Sequence, residues 1–309
     1  MSRWTPRPPL QGAAVFLSAS VPHPQRDARF LAGPVEDWLM LRVIDQRVFD
    51  AVQALVAQLL GNGGRLVHGG HPTITAILAS LAGNWLADRQ SPRRDEGLEA
   101  ASPALDGPRA SAADQDRDAL VDLQNGAEPP VLLYQSQFFA HLPAPSGRQE
   151  MQQAGFAAVR WTASTLAELR VGSVPLLERH PRLAEAIEAW LPQQAAPNAP
   201  RALQEALLAM RLQMLLETRP QAAVCIGGME GIEAEARLYT QLCDLGQLPG
   251  NGEVQVLRST YGAAAQLEGE RVRVLDERPP TSGETAAADL LERIAYDGVM
   301  RELVAGIRP

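Results

Sequence analysis

Short apolar runs alternate along this chain with segments of helical periodicity, and several of the runs stop at glycines or hydroxyl residues. The runs are GAAVFLSASVP (12–22), RLVHGG (65–70), PPVLLYQSQFF (129–139), GFAAVRWTA (155–163), QAAVCIGG (221–228) and GEVQVLRST (252–260), with GERVRVLDE (269–277) as a short edge strand. Between them, 43–64 carries Val48, Val52, Leu55, Val56 and Leu59 at helical spacing and closes on Gly-Asn-Gly-Gly. Helices are also expected over 72–88, over most of 164–219 with a break at PQQAAPNAP, over 232–246 and over 282–307. Strands alternating with helices predict an α/β fold, a mainly parallel sheet of about six or seven strands with helices on both faces. Residues 88–128 are polar, dotted with Pro and Gly and free of aromatics, which predicts a flexible surface insertion in an otherwise single domain over 1–309.

Composition removes several function classes. The 28 basic residues are all Arg. Without lysine there is no P-loop NTPase and no Schiff-base chemistry. A net charge of −8 argues against a protein that coats nucleic acid. Cys225 and Cys243 make neither a disulfide framework nor a metal-ligand spacing, and Cys225 reads as a small buried residue. His23, His68, His141 and His180 also lack ligand spacing, so no metal and no cofactor is expected. The opening MSRWTPRPPLQG has no apolar signal core and no run reaches membrane-helix length, so a soluble, cytoplasmic protein without a membrane partner is expected.

In parallel sheets ligands bind beyond the carboxyl ends of the strands, so the loops after the strands are the place to look. The first offers the hydroxyls of Ser18 and Ser20. The second is GGHPTIT, where Gly69 and Gly70 admit close approach to the backbone and Pro72 suits a first helical position. The N–H groups of Thr73, Ile74 and Thr75 would then favour an anion, with the Thr73 and Thr75 hydroxyls and His71 beside it. The same residues also suit a plain threonine-capped turn. The third loop brings Gly227, Gly228 and Gly231 to another helix start, with Glu230 and Glu233 one turn apart. Those acids fit ribose hydroxyls or proton transfer, and they equally fit a helix dipole, with Glu233 pairing to Arg237 at i+4. The fourth loop holds Ser259, Thr260 and Gly262 behind Arg258.

Taken in order, FLSASVP (16–22), LVHGGHPTIT (66–75), YQSQFF (134–139), CIGGMEGIEAEA (225–236) and STYGAA (259–264) resemble the SLOG superfamily, most closely the group called SLOG cluster 3. The resemblance implies a doubly wound, Rossmann-like sheet with a pocket for a nucleotide or a nucleotide-derived signal of the ADP-ribose or cyclic ADP-ribose type. It further implies a sensor in bacterial anti-phage or conflict signalling, partnered by a TIR or other effector protein or by further copies of itself in a homo-oligomer. The enzymes of the same superfamily, the Lonely-Guy phosphoribohydrolases, cleave the base from nucleoside monophosphates and carry Pro-Gly-Gly-x-Gly-Thr-x-x-Glu. Here Ile226 replaces the proline, an extra residue separates the glycines, and Ile232 stands where the threonine would follow. The glutamate of the motif becomes Glu233 or Glu235, and Glu233 is the catalytic candidate under an N-glycosidase alternative. DNA binding, known elsewhere in the superfamily, is opposed by the charge.

Overall fold

The computed structural model describes residues 9–22, 38–90, 129–171, 176–194, 199–276 and 294–308. Positions 91–128 of the expected insertion lie outside these residues, as does His23, while 88–90 continue a helix. The described strands are β1 (Ala14–Ser20), β2 (Arg65–His68), β3 (Val131–Ser136), β4 (Ala157–Thr162), β5 (Ala222–Gly227), β6 (Val254–Leu257) and β7 (Val272–Asp276). The helices are α1 (Trp38–Gly61), α2 (Pro72–Gln90), α3 (Arg148–Gln153), α4 (Leu166–Val171), α5 (Leu183–Trp190), α6 (Arg201–Thr218), α7 (Glu230–Asp244) and α8 (Tyr296–Gly306).

All seven strands lie in one sheet of order β4-β3-β2-β1-β5-β6-β7, and every neighbouring pair is parallel. The chain winds outward from β1 to β4, then returns to the other side of β1 with β5. This is the doubly wound, Rossmann-like α/β arrangement that the alternation predicted. Every residue of the central strands β1 and β5 is buried, which is why they read as continuous apolar runs.

Two apolar layers cover the sheet. On one face Phe16, Tyr134 and Cys225 meet Leu208, Leu212 and Leu215 of α6 and Ile232 and Tyr239 of α7. On the other, Leu17, Leu133 and Ile226 meet Val48, Val52, Leu55 and Leu59 of α1, Ile74 and Leu78 of α2 and Met300 of α8. α1 stops where expected: the N–H groups of Gly63 and Gly64 donate to Leu60 O and Leu59 O at 3.0 and 2.9 Å. Among the described residues no helix is long and apolar enough to cross a membrane.

Candidate functional site

The strand order reverses between β1 and β5, and Ser20 and Gly227 are register partners at their carboxyl ends. A crevice at such a reversal is where doubly wound sheets bind ligands. Hydrogen bonds tie the four predicted loops together along this rim. Val21 N–H donates to Thr73 Oγ1 at 3.2 Å, joining the first loop to the second. Gly228 N–H donates to Ser20 O at 2.6 Å, joining the first to the third. Gly227 N–H donates to Thr260 Oγ1 at 2.8 Å and Ala263 N–H to Gly228 O at 3.0 Å, joining the third to the fourth.

Several predicted residues spend their polar groups or their lack of a side chain on this framework. Thr75 is buried, and its N–H and hydroxyl both donate to His71 O, at 2.9 and 3.0 Å. Thr260 also donates to Leu257 O at 2.7 Å. Ser259 is fully buried and contacts the Asp276 carboxylate and Tyr296 Oη. Burial raises the Asp276 pKa despite these donors. Gly262 sits at φ +68°, and a Cβ there would stand 2.5 Å from Gly227 C and 2.6 Å from Gly228 O. The two loops therefore cross backbone on backbone.

Other predicted residues lie in the loop before α2 or at the starts of α2 and α7. α2 begins at Pro72 and its first described intrahelical donor is Thr75, so the Thr73 and Ile74 N–H groups have no intrahelical acceptor. Thr73 Oγ1 also lies 2.9 Å from His71 Nδ1. Gly69 has room, since a Cβ there would meet only Met210 Cε at 3.5 Å. Glu230 is exposed, while Gly231 and Glu233 are half-buried at the start of α7. Arg237 donates to Gln193 Oε1 at 3.0 Å rather than forming the expected pair with Glu233.

The polar centre between β1, α6 and α7 is a carboxylate, and it belongs to Glu235. Ser18 Oγ donates to Glu235 Oε2, and Arg211 Nε donates to Oε1 at 3.1 Å. Arg211 comes from α6 and its side chain is only 4 % exposed, against 15 % for Glu235. Its Nη1 donates to Gln194 O and Oε1 at 2.8 and 3.0 Å. A Cβ at Gly231 would stand 3.1 Å from Arg211 Nη2, so the glycine leaves space between the guanidinium and the start of α7.

Arg211 was not legible as a site residue from motifs, but it carried a signal. It lies three residues after Leu208 and four before Leu215, on the apolar stripe of α6, where an arginine needs a buried partner. Glu235 is likewise three after Ile232 and four before Tyr239 on α7. Arg47 repeats the pattern on α1 between Ile44 and Ala51. It is 5 % exposed, donates to Ser259 O at 3.2 Å and stacks 5.6 Å from the Tyr261 ring centroid. Tyr261 has φ +58° and ψ −155°, a conformation that costs a non-glycine residue about 1–3 kcal/mol and persists only where surroundings enforce it.

His68 is a buried core histidine under the second loop. Its Nδ1 lies 3.1 Å from Leu17 O, an acceptor, and its Nε2 accepts His71 N–H at 3.1 Å. These contacts fix the neutral Nδ1–H tautomer. Burial holds its pKa below the ordinary 6.5. The unfolded chain therefore takes up this proton at higher pH than the folded one. His68's contribution is complete above about pH 6.5 and is lost as pH falls below it, by up to about 1.4 kcal/mol per pH unit. Denaturant midpoints between pH 7.5 and 5.5 should show that slope in the parent protein, and His68→Asn should flatten it.

Burial likewise raises the Cys225 thiol pKa, which suits packing rather than nucleophilic attack. Among the described residues no group of three or more His, Cys, Asp or Glu is placed to hold a metal ion. A cavity of about 70 Å³ lined by Arg65, Tyr134, Arg160 and Glu217 opens at the amino ends of the strands, away from this rim.

Residues 181–293 match the SLOG cluster3 family. The SLOG match runs from just before α5 through β7 and includes Arg211, the third and fourth loops and Glu235. Ser18 and the GGHPTIT loop lie outside it. That partial match points to a nucleotide-related function in general terms. No curated protein and no solved structure matches the chain.

Proposed function

We propose that the β1/β5 rim binds a nucleotide or nucleotide-derived molecule of the ADP-ribose or cyclic ADP-ribose type and that the protein senses it. The carrying observation is that four loops, bonded to one another, meet where the strand order reverses, with the start of α2 on one side and Arg211 on the other. A phosphate fits the Thr73 and Ile74 N–H groups, and ribose hydroxyls fit the acceptor capacity left on Glu235. Ser20, Gly69, Gly70, His71, Gly227, Gly228, Glu230 and Gly231 would line the same space. Sensing is favoured over turnover because each Glu235 oxygen already has a donor in Ser18 or Arg211. Signal output would pass to a TIR or other effector protein.

A second reading is an N-glycosidase of nucleoside monophosphates. It is favoured by one observation: the motif glutamate held by Ser18 and Arg211 is Glu235, which is partly exposed. Glu235, rather than Glu233, would then stabilise an oxocarbenium-like transition state or activate water.

Incubation with NAD, cyclic ADP-ribose isomers, ADP-ribose and nucleoside monophosphates, followed by mass spectrometry, separates the two readings. Retention of an intact ADP-ribose-type molecule is the expected result, and Thr73→Val should weaken it by about tenfold by orphaning Val21 N–H. Release of a free base, lost in Glu235→Gln with binding kept, would establish the enzyme. Neither retention nor turnover of any of these would overturn both.

A further inference from the structure

Among the described residues the sheet has two edges, at β4 and β7, and they are built differently. β7 closes one side with Arg273 and Asp276, follows Arg271, and pairs with β6 through a register shift at Val256/Leu257. Charges and irregularities of this kind keep an edge from pairing with another chain. β4, last in order on the other side, reads Ala-Ala-Val-Arg-Trp-Thr and pairs with β3 in unbroken register over six residues. It has no proline, glycine, acid or bulge. Its one charge, on Arg160, lies 3.9 Å from Glu217 of the same chain. Trp161 is 44 % exposed, with the Arg148 guanidinium 5.6 Å from its ring centroid.

We propose that β4 is a dimerisation edge, pairing antiparallel with β4 of a second copy about a twofold axis and joining the two sheets into one. The choice of a second copy rests on self-complementarity. Ala157 and Val159 pack on the α1/α2 side of the sheet and Ala158 on the α6/α7 side. With the twofold perpendicular to the sheet, residues facing each other across the new pair must come from the same side. A centre at Arg160 sets Arg160 against itself, which is unfavourable. A centre at Ala158 sets Trp161 against Gly155, beyond the strand. A centre at Val159 keeps Ala157 through Trp161 paired, with Trp161 opposite Ala157, Arg160 opposite Ala158 and Val159 opposite itself. Each large side chain then faces an alanine.

In that register the two Val159 Cα atoms stand about 4.5–5.5 Å apart, within disulfide reach. The test uses the full chain with Cys243→Ser, since Cys225 is buried. Sedimentation should show a dimer. Val159→Cys should convert to a disulfide-linked dimer on mild oxidation, Val274→Cys on β7 should not, and Ala158→Glu should sediment as a monomer with an unchanged circular dichroism spectrum. If Ala158→Glu fails to fold, the cysteine pair still decides. A parent protein that stays monomeric at micromolar concentration, or a dimer that crosslinks through Val274→Cys and not Val159→Cys, would overturn the proposal.

Discussion

Arg211→Met is expected to destabilise the protein by about 3 kcal/mol or more and to abolish ligand retention at the rim. The substitution keeps most of the side-chain stem, so packing against α6's neighbours is largely preserved and the charge is what is lost. Glu235 then remains a carboxylate that is 15 % exposed with Ser18 as its one remaining donor among the described residues. Removing one partner of a buried pair costs about 3–5 kcal/mol, chiefly because the other charge is left uncompensated. One further result follows from that cause. The double substitution Arg211→Met with Glu235→Leu should recover much of the stability and none of the binding. Urea unfolding of the two variants measures this, and a loss below about 0.5 kcal/mol in Arg211→Met would mean that the pair does not hold the rim together.

Gly262→Ala should be comparably damaging, about 3 kcal/mol, for a reason that involves no charge. The residue sits at φ +68°, where an L side chain costs about 1–2 kcal/mol. Its Cβ would also press on the backbone of Gly227 and Gly228 at 2.5–2.6 Å. Backbone cannot rotate away as a side chain can, so the fourth loop must lift from the third, adding an overpacking cost of about 1–3 kcal/mol. The movement would stretch the bonds from Gly227 N–H to Thr260 and from Ala263 N–H to Gly228. Gly298→Ala in α8 is the control. Nothing lies within 4 Å of its Cβ, and alanine there should stabilise by up to about 1 kcal/mol. Equal unfolding midpoints for the Gly262→Ala variant and the parent would rule out the close crossing.

Both predictions concern residues whose roles depend on contacts across the fold. Ser18 and Glu235 are 217 positions apart, Arg47 and Ser259 are 212, and Arg211 reaches Glu235 from the preceding helix. A motif search reads neighbours in sequence, so it singled out the glycines and hydroxyls of each loop and passed over the two arginines. The periodicity of α6 and α1 did mark them, as charges on apolar stripes, but could not say which acid or carbonyl each would meet.

By itself the sequence determined the fold class, the seven strands, most of the helices that cover them and the loops that gather on one rim, while the short α3 was not expected. Those follow from local regularities: continuous apolar runs for buried parallel strands, helical spacing between them, and glycine stops such as Gly63 after α1. It also placed a helix start at Pro72. Only the tertiary structure decided that Glu235 rather than Glu233 pairs with Ser18 and Arg211, that Thr75, Ser259 and Thr260 direct their hydroxyls into the framework, and that Gly262 is needed for a backbone crossing. The two-residue step from Glu233 to Glu235 rotates a helical side chain by about 200°. Which of two nearby acids points inward is therefore set by how α7 lies on β1 and β5, through packing that no short stretch of sequence contains.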